Sequence, residues 1–270
     1  MGQNAAANKK KMQNSMSNPF YLDWTFWAFA SSLLAIALSQ APPIVRWFGK
    51  PRLVLELPNQ MRITHVAGYA AAGVVLSIRN AGSKAARITS LSIKFRRNGE
   101  DLLDAPILEF HPDPRNAQAL LLMPFSVAAG VEVTRSMNAY QQLPRDKDRK
   151  LSELASRVRV DIGKKVELAQ ANRDSFAPLG SMVTLDARLL QEAQSMFEAN
   201  FCWKAGDYDV QILCRSDEQA EVRQQKLAFT LWESDEAELK ALADDYQYGF
   251  GIGLTHERHA KGVFVTLRRI

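Results

Sequence analysis

Trp24 to Val45 is a run of 22 residues without a charged side chain, and it restricts the chain more than any other feature. An α-helix rises about 1.5 Å per residue, so roughly 20 largely apolar residues reach across the ~30 Å hydrocarbon core of a bilayer. Phe20 to Leu38 with the following turn has that length. Tyr21, Trp24 and Trp27 flank one end and Trp47 and Phe48 the other, as amphipathic rings do at the headgroup level. Pro42 and Pro43 cannot continue the hydrogen-bond ladder, so the helix is expected to finish near Gln40 or kink there. The expected layout is therefore a polar, basic tail over 1–19, a single transmembrane helix over 20–45, and a domain over 46–270.

A cleaved signal peptide competes with this reading, because Lys9, Lys10 and Lys11 form a basic start and Ser39 to Ala41 supplies small residues. Pro42 would follow such a cut directly, which favours an uncleaved anchor. Gly2 is followed by Ala6 where a myristoylation motif has Ser or Thr. Basic residues balance across the helix, three on each side, and the N-terminus is placed in the cytoplasm of a bacterial cell, at the inner membrane. Ala28, Ser32, Ala35 and Ser39 recur every three or four positions, a small-residue stripe along which a second copy could pack in lipid. Trp24, Trp27, Ala28, Ser32, Ala35, Ser39 and Trp47 are the residues to which a role, that of membrane anchor, follows from type and position.

About 220 residues follow the helix, enough for one elaborated domain with a core. The net charge of +5 is modest and opposite charges are interleaved, which speaks against a nucleic-acid surface. Two cysteines, Cys202 and Cys214, exclude a disulfide-stapled scaffold or a four-cysteine zinc site. Short alternating runs separated by turn residues predict antiparallel strands. Leu53, Leu55 and Leu57 form one apolar row, Val74, Leu76 and Ile78 a second, Leu91, Ile93 and Phe95 a third. Asn80 to Gly82 is read as a turn, Asn98 with Gly99 as a two-residue hairpin, and Ala129 with Gly130 as another turn. After Gly206, Tyr208, Val210, Ile212 and Cys214 alternate, so Cys214 is expected to be a buried structural thiol.

The segments LSIRNAG, ITSLSIKF and KAGDYDVQI resemble the strand pairs of bacterial immunoglobulin-like sandwich domains, over about half of the chain. The resemblance implies an antiparallel β-sandwich, with Tyr208 of the Gly206–Tyr208 element at a tyrosine corner whose hydroxyl bonds nearby backbone. The paired cysteine and tryptophan of antibody domains are missing, so no ligand or receptor role carries over. The fold class expected is mainly β: one N-terminal transmembrane helix, then a β-sandwich with helical insertions around 145–200. There Leu151, Leu154, Ala155 and Val158, and later Leu189, Leu190, Ala193, Met196 and Phe197, have helical spacing.

Near the C-terminus Asp235 and Glu238 start a short helix with Leu239, Leu242, Ala243 and Tyr246 on its buried stripe. Tyr248, Phe250, Ile252 and Leu254 alternate with Gly249, Gly251 and Gly253, which predicts a strand bare on one face and closely approached there. His256 and His259 lie in the turn before a last strand, Val263 to Leu267. Two imidazoles need further ligands to hold a metal, and an exposed turn accounts for them. His65 and His111 are isolated in sequence. No catalytic, cofactor-binding or metal-binding residue is assigned, and no cofactor is expected. The function expected is a membrane-anchored, non-enzymatic interaction, scaffold or sensor module, with the lipid bilayer and a membrane or envelope protein as partners. A membrane-bound hydrolase or metal enzyme, and an oligomeric signalling assembly or pore formed through the helix, are the alternatives.

Overall fold

The structure, a computed structural model, describes residues 24–112, 119–171, 183–217, 220–254 and 261–270. The described residues divide into two units, one up to Gly49 and one from Lys50 on. The first contains α1 (Trp24–Phe48). Among the described residues no helix is long and apolar enough to cross a membrane, which overturns the transmembrane anchor. The described helix begins at Trp24, and its apolar run from Phe26 to Leu38 is interrupted by Ser31 and Ser32 and stopped by Gln40. At 1.5 Å per residue that run is about 20 Å long, against about 30 Å of hydrocarbon. Pro42 and Pro43 lie within the helix and do not end it.

Among its described residues the second unit has thirteen strands: β1 (Arg52–Glu56), β2 (Gln60–Val66), β3 (Tyr69–Asn80), β4 (Ala86–Arg97), β5 (Glu100–His111), β6 (Leu120–Leu121), β7 (Phe125–Val127), β8 (Glu132–Tyr140), β9 (Gly206–Ser216), β10 (Glu221–Gln224), β11 (Leu227–Leu231), β12 (Val263–Thr266) and β13 (Arg268–Arg269). The expected sandwich of two sheets is replaced by one curled sheet, in the order β10-β1-β3-β8-β5-β4-β9-β11-β13. The strand β5 makes the corner. Its first half pairs with β4 up to Pro106, and from Ile107 it pairs with β8 across an irregularity. Proline lacks an N–H to donate to a ladder, and a strand that changes partners there turns the sheet.

The other corner is the C-terminal strand. Val263–Thr266 pair with β2, and two residues later Arg268 and Arg269 pair with β11. One short segment thus joins the two ends of the curl. Its pleat points Val263, Val265 and Leu267 inward and leaves Phe264 outside. The only parallel pairing among the described strands is β1 with β10.

Alternation inside the curl follows the sequence: Leu53, Leu55, Val74, Leu76, Ile78, Leu91, Ile93 and Phe95 are buried in one core. The side chain of Asn80, fully buried, donates to the carbonyls of Lys84 (2.8 Å) and Val127 (2.9 Å) and accepts from Gly82 N–H (3.0 Å), which fixes the turn after β3. Asn98 and Gly99 adopt φ of 51° and 83°, the left-handed pair that a two-residue hairpin requires. Tyr208 places its hydroxyl 2.7 Å from the Lys204 carbonyl, so the local bond implied for a tyrosine corner exists, set within a single curled sheet.

Helices form a second core at one end. They are α2 (Arg145–Ala171), α3 (Ala187–Asn200) and α4 (Glu233–Ala241), the last followed by a 3-10 helix, Leu242–Tyr248. The N-cap of α3 is Asp186, whose carboxylate accepts from Arg188 N–H at 2.9 Å. Leu154, Ala155, Val158 and Ile162 of α2 pack with Ala193, Tyr246 and the β2–β3 turn at Ala67 and Tyr69. The glycine-rich segment after Tyr248 is a set of turns with one bridge, Phe250 to Leu254, and not the expected strand. Its bare positions are nevertheless approached: a Cβ on Gly253 would lie 2.8 Å from the Ala155 carbonyl oxygen.

Gly68 shows the same constraint more strongly. Its φ is +88°, and an added Cβ would stand 2.6 Å from the Phe197 carbonyl oxygen of α3. Gly68→Ala is expected to lower stability by about 2–4 kcal/mol, from the left-handed backbone together with the steric conflict. Urea unfolding of the two proteins measures the difference, and an unchanged midpoint would contradict the packing described.

Candidate functional site

His256 and His259 lie outside the described residues, as does the side chain of Trp47. Trp24, Trp27, Ala28, Ser32, Ala35 and Ser39 are exposed on α1. The hydroxyls of Ser32 and Ser39 donate to the Ala28 and Ile36 carbonyls of their own helix, both at 2.8 Å, so they are already engaged within it. Cys202 and Cys214 are free, and burial pushes each thiol up to about 11, which keeps it protonated at neutral pH. Among the described residues no three His, Cys, Asp or Glu side chains converge as a metal site would need. An open groove of about 350 Å³ beside α2 is lined by Arg157, Asp161 and Leu189. Two of its charges are paired, Arg157 with Glu192 and Asp161 with Lys165, and Lys164 also lines it.

His65 is buried where the curled sheet meets the helices. Its Nε2 stands 2.8 Å from the Leu239 carbonyl, which can only accept, so this nitrogen carries the proton. Nδ1 is then the acceptor facing Gly68 N–H at 3.4 Å and the Tyr246 hydroxyl at 3.3 Å. Phe197 and Phe201 wall the ring, with centroids at 5.0 and 5.6 Å. Burial lowers the imidazole pKa below its ordinary 6.5, the Leu239 bond opposing this. The folded protein therefore holds His65 neutral, while the unfolded chain takes up a proton as the pH falls through about 6.5. Stability is complete above that pH and is lost below it, by up to about 1.4 kcal/mol per pH unit. His65→Gln is expected to flatten this part of the profile of unfolding free energy between pH 7.5 and 5.5. An unchanged slope would contradict the assignment.

The strongest grouping of polar side chains lies on the outer face of the sheet. Residues directly opposite one another on paired strands share a face. Phe264 opposes Arg62, Arg62 opposes Gly73, Gly73 opposes Asn138, Asn138 opposes Glu109, and Glu109 opposes Leu121. These six form one row across β12, β2, β3, β8, β5 and β6, about 24 Å long at 4.8 Å per strand. Val75, one pleat from Gly73, and the two ends of the row, Phe264 and Leu121, are exposed apolar groups.

At the centre the Arg62 side chain lies flat over Gly73. A Cβ at Gly73 would come 3.0 Å from Arg62 Nη2 and 3.1 Å from Nε, so an alanine here would push the guanidinium off this seat by a few tenths of an ångström. Nη2 donates to Asn138 Oδ1 at 3.5 Å, at the long limit for such a bond. Nε is buried without a hydrogen-bond partner. Asn138 in turn sets its amide nitrogen 3.1 Å from His111 Nε2, and the Tyr140 hydroxyl donates to Glu109 at 2.8 Å. Burial, reinforced by the bond to Glu109, raises the Tyr140 hydroxyl well above its ordinary pKa. Burial draws the Arg62 guanidinium below its usual value, with Tyr140 opposing, yet arginine stays charged in proteins.

Sequence reading passes over Arg62, Gly73, Asn138, Glu109 and Tyr140, because the row is assembled from strands far apart in the chain. The alternation of Arg62 and Thr64 with Met61 and Ile63 is the one local signal of an outward arginine. His111, read as isolated, belongs to this cluster through Asn138. No protein-family model matches the chain, and no curated protein matches it.

Proposed function

We propose that the protein is a non-enzymatic interaction module which holds a protein partner on the outer face of its curled sheet, across the row centred on Arg62. The observation that carries this reading is the combination on that face: exposed apolar Phe264 and Leu121 at the ends of the row and Val75 beside it, with a half-sunk cation that has no carboxylate partner among the described residues. Apolar contacts around a central desolvated arginine are the usual make-up of a binding centre between proteins. The pleat keeps these groups off the core, so the face can be altered without loss of the fold.

Val75→Asp and Phe264→Asp, made separately in the full chain, are expected to reduce recovery of a specific partner from the native cells at least tenfold. Unfolding free energy should change by no more than about 0.5 kcal/mol, as for surface positions. Thr89→Asp, exposed on β4, serves as the control. Equal partner recovery from all four proteins would overturn the reading.

A further inference from the structure

We propose that Arg62 is the anchor of a carboxylate subsite, which takes an Asp or Glu side chain from the partner protein; this rests on the interaction reading above. A guanidinium presents its donors in a planar fork that matches a carboxylate with two parallel bonds. Arg62 makes no such pair within the described chain. Its one hydrogen bond, to Asn138 Oδ1, is 3.5 Å long, and its Nε–H meets no acceptor. Giving up water for so little costs free energy, and an anion at the part of the guanidinium that stays exposed offsets that cost, while Nε remains enclosed against the sheet.

The surroundings keep the cation ready. The nearest carboxylate along the row, Glu109, opposes Asn138 on the strand beyond it; it makes no ion pair with Arg62 among the described residues and accepts from the Tyr140 hydroxyl. Asn138 is held from behind by His111, which fixes its oxygen toward Arg62. Gly73 supplies the flat seat that holds the fork against the sheet. Exposed Val75 and Phe264 on either side give the partner apolar surface to cover, and covering it excludes water from the ion pair. The charge asks for an acidic group, and the flanks ask that it be carried by a segment with apolar neighbours.

The test uses the full chain labelled with 15N-arginine, with the Nε–H resonance of Arg62 assigned by its loss in Arg62→Lys. Succinate is the probe, and sodium chloride at equal ionic strength and sodium phosphate are the parallel arms. A saturable shift of the Arg62 resonance with succinate, absent with chloride and weakened several-fold by Gly73→Ala, is the expected result. No shift, a shift equal to that with chloride, or a response to phosphate alone would overturn the carboxylate subsite. Photo-crosslinking through Val75 separates this proposal from the one it rests on. Arg62→Gln should lower the crosslinked yield at least tenfold. Undiminished yield in that variant would remove Arg62 as anchor and leave the binding face standing, whereas no adduct even with Arg62 present would remove the face itself.

Discussion

Val265→Asp is expected to lower the stability of the curled sheet by about 4–5 kcal/mol, enough to unfold many domains of this size. Val265 is 3% exposed on the strand that joins β2 to β11, and its inward side chain lies opposite Met61 in the core. An aspartate there must either bury an unpaired charge or pull β12 away from β2. The second route opens the curl, because this segment is the link between its two ends. Phe264→Asp on the same strand points outward and should cost no more than about 0.5 kcal/mol. The contrast between adjacent positions is the diagnostic part, and chemical denaturation of both variants reads it. Equal losses would mean that the strand is not seated in the register described.

Trp203→Ala should cost about 3–5 kcal/mol, the range for removing a buried aromatic side chain from a core that cannot collapse around the hole. Trp203 is fully buried, its ring edge-on to Phe95 at a centroid distance of 5.2 Å and tilted against Tyr208 at 5.7 Å. Its indole N–H donates to the Thr64 carbonyl at 2.8 Å, which ties the segment after α3 to β2. Trp203→Phe keeps most of the packing and strands that carbonyl, so an intermediate loss of about 1–3 kcal/mol is expected. Calorimetric or urea unfolding of the series distinguishes the two contributions. A loss below about 1 kcal/mol in Trp203→Ala would contradict the burial.

Local signals carried much of this fold into the sequence. Two-residue alternation marked the buried faces of β1, β3, β4 and β9, because the pleat turns burial directly into spacing. The Asn98–Gly99 hairpin was legible since few residues accept positive φ. The helical spacing of Leu154, Ala155 and Val158, and of Ala193 and Phe197, marked the stripes that now form the second core. What was illegible is non-local. The partner change at Pro106 and the double pairing of the last strand decide between two sheets and one curled sheet, and neither leaves a mark in spacing. The glycines after Tyr248 alternate with bulky residues as in a strand, but their cause is local: Gly249 and Gly253 are approached by α2, and Gly249 and Gly251 adopt left-handed φ of 79° and 80°. The apolar run near the start suggests a bilayer span, but among the described residues no helix is long and apolar enough to cross a membrane.

The proposed binding face is hidden in the sequence for the same reason as the topology. Arg62, Gly73, Asn138 and Glu109 carry no motif, and only the register of four strands brings them into line. His111 is isolated in sequence, and only Asn138 links it to Arg62.

The most direct test of the interaction face is a photo-crosslinking amino acid placed at Val75, and separately at Thr89, in the full chain expressed in its native cells. Val75 is predicted to give a discrete adduct with one partner protein, and Thr89, on the strand β4, is predicted to give none. Adducts of the same identity and yield from both positions, or none from Val75, would contradict the assignment of this face to partner binding.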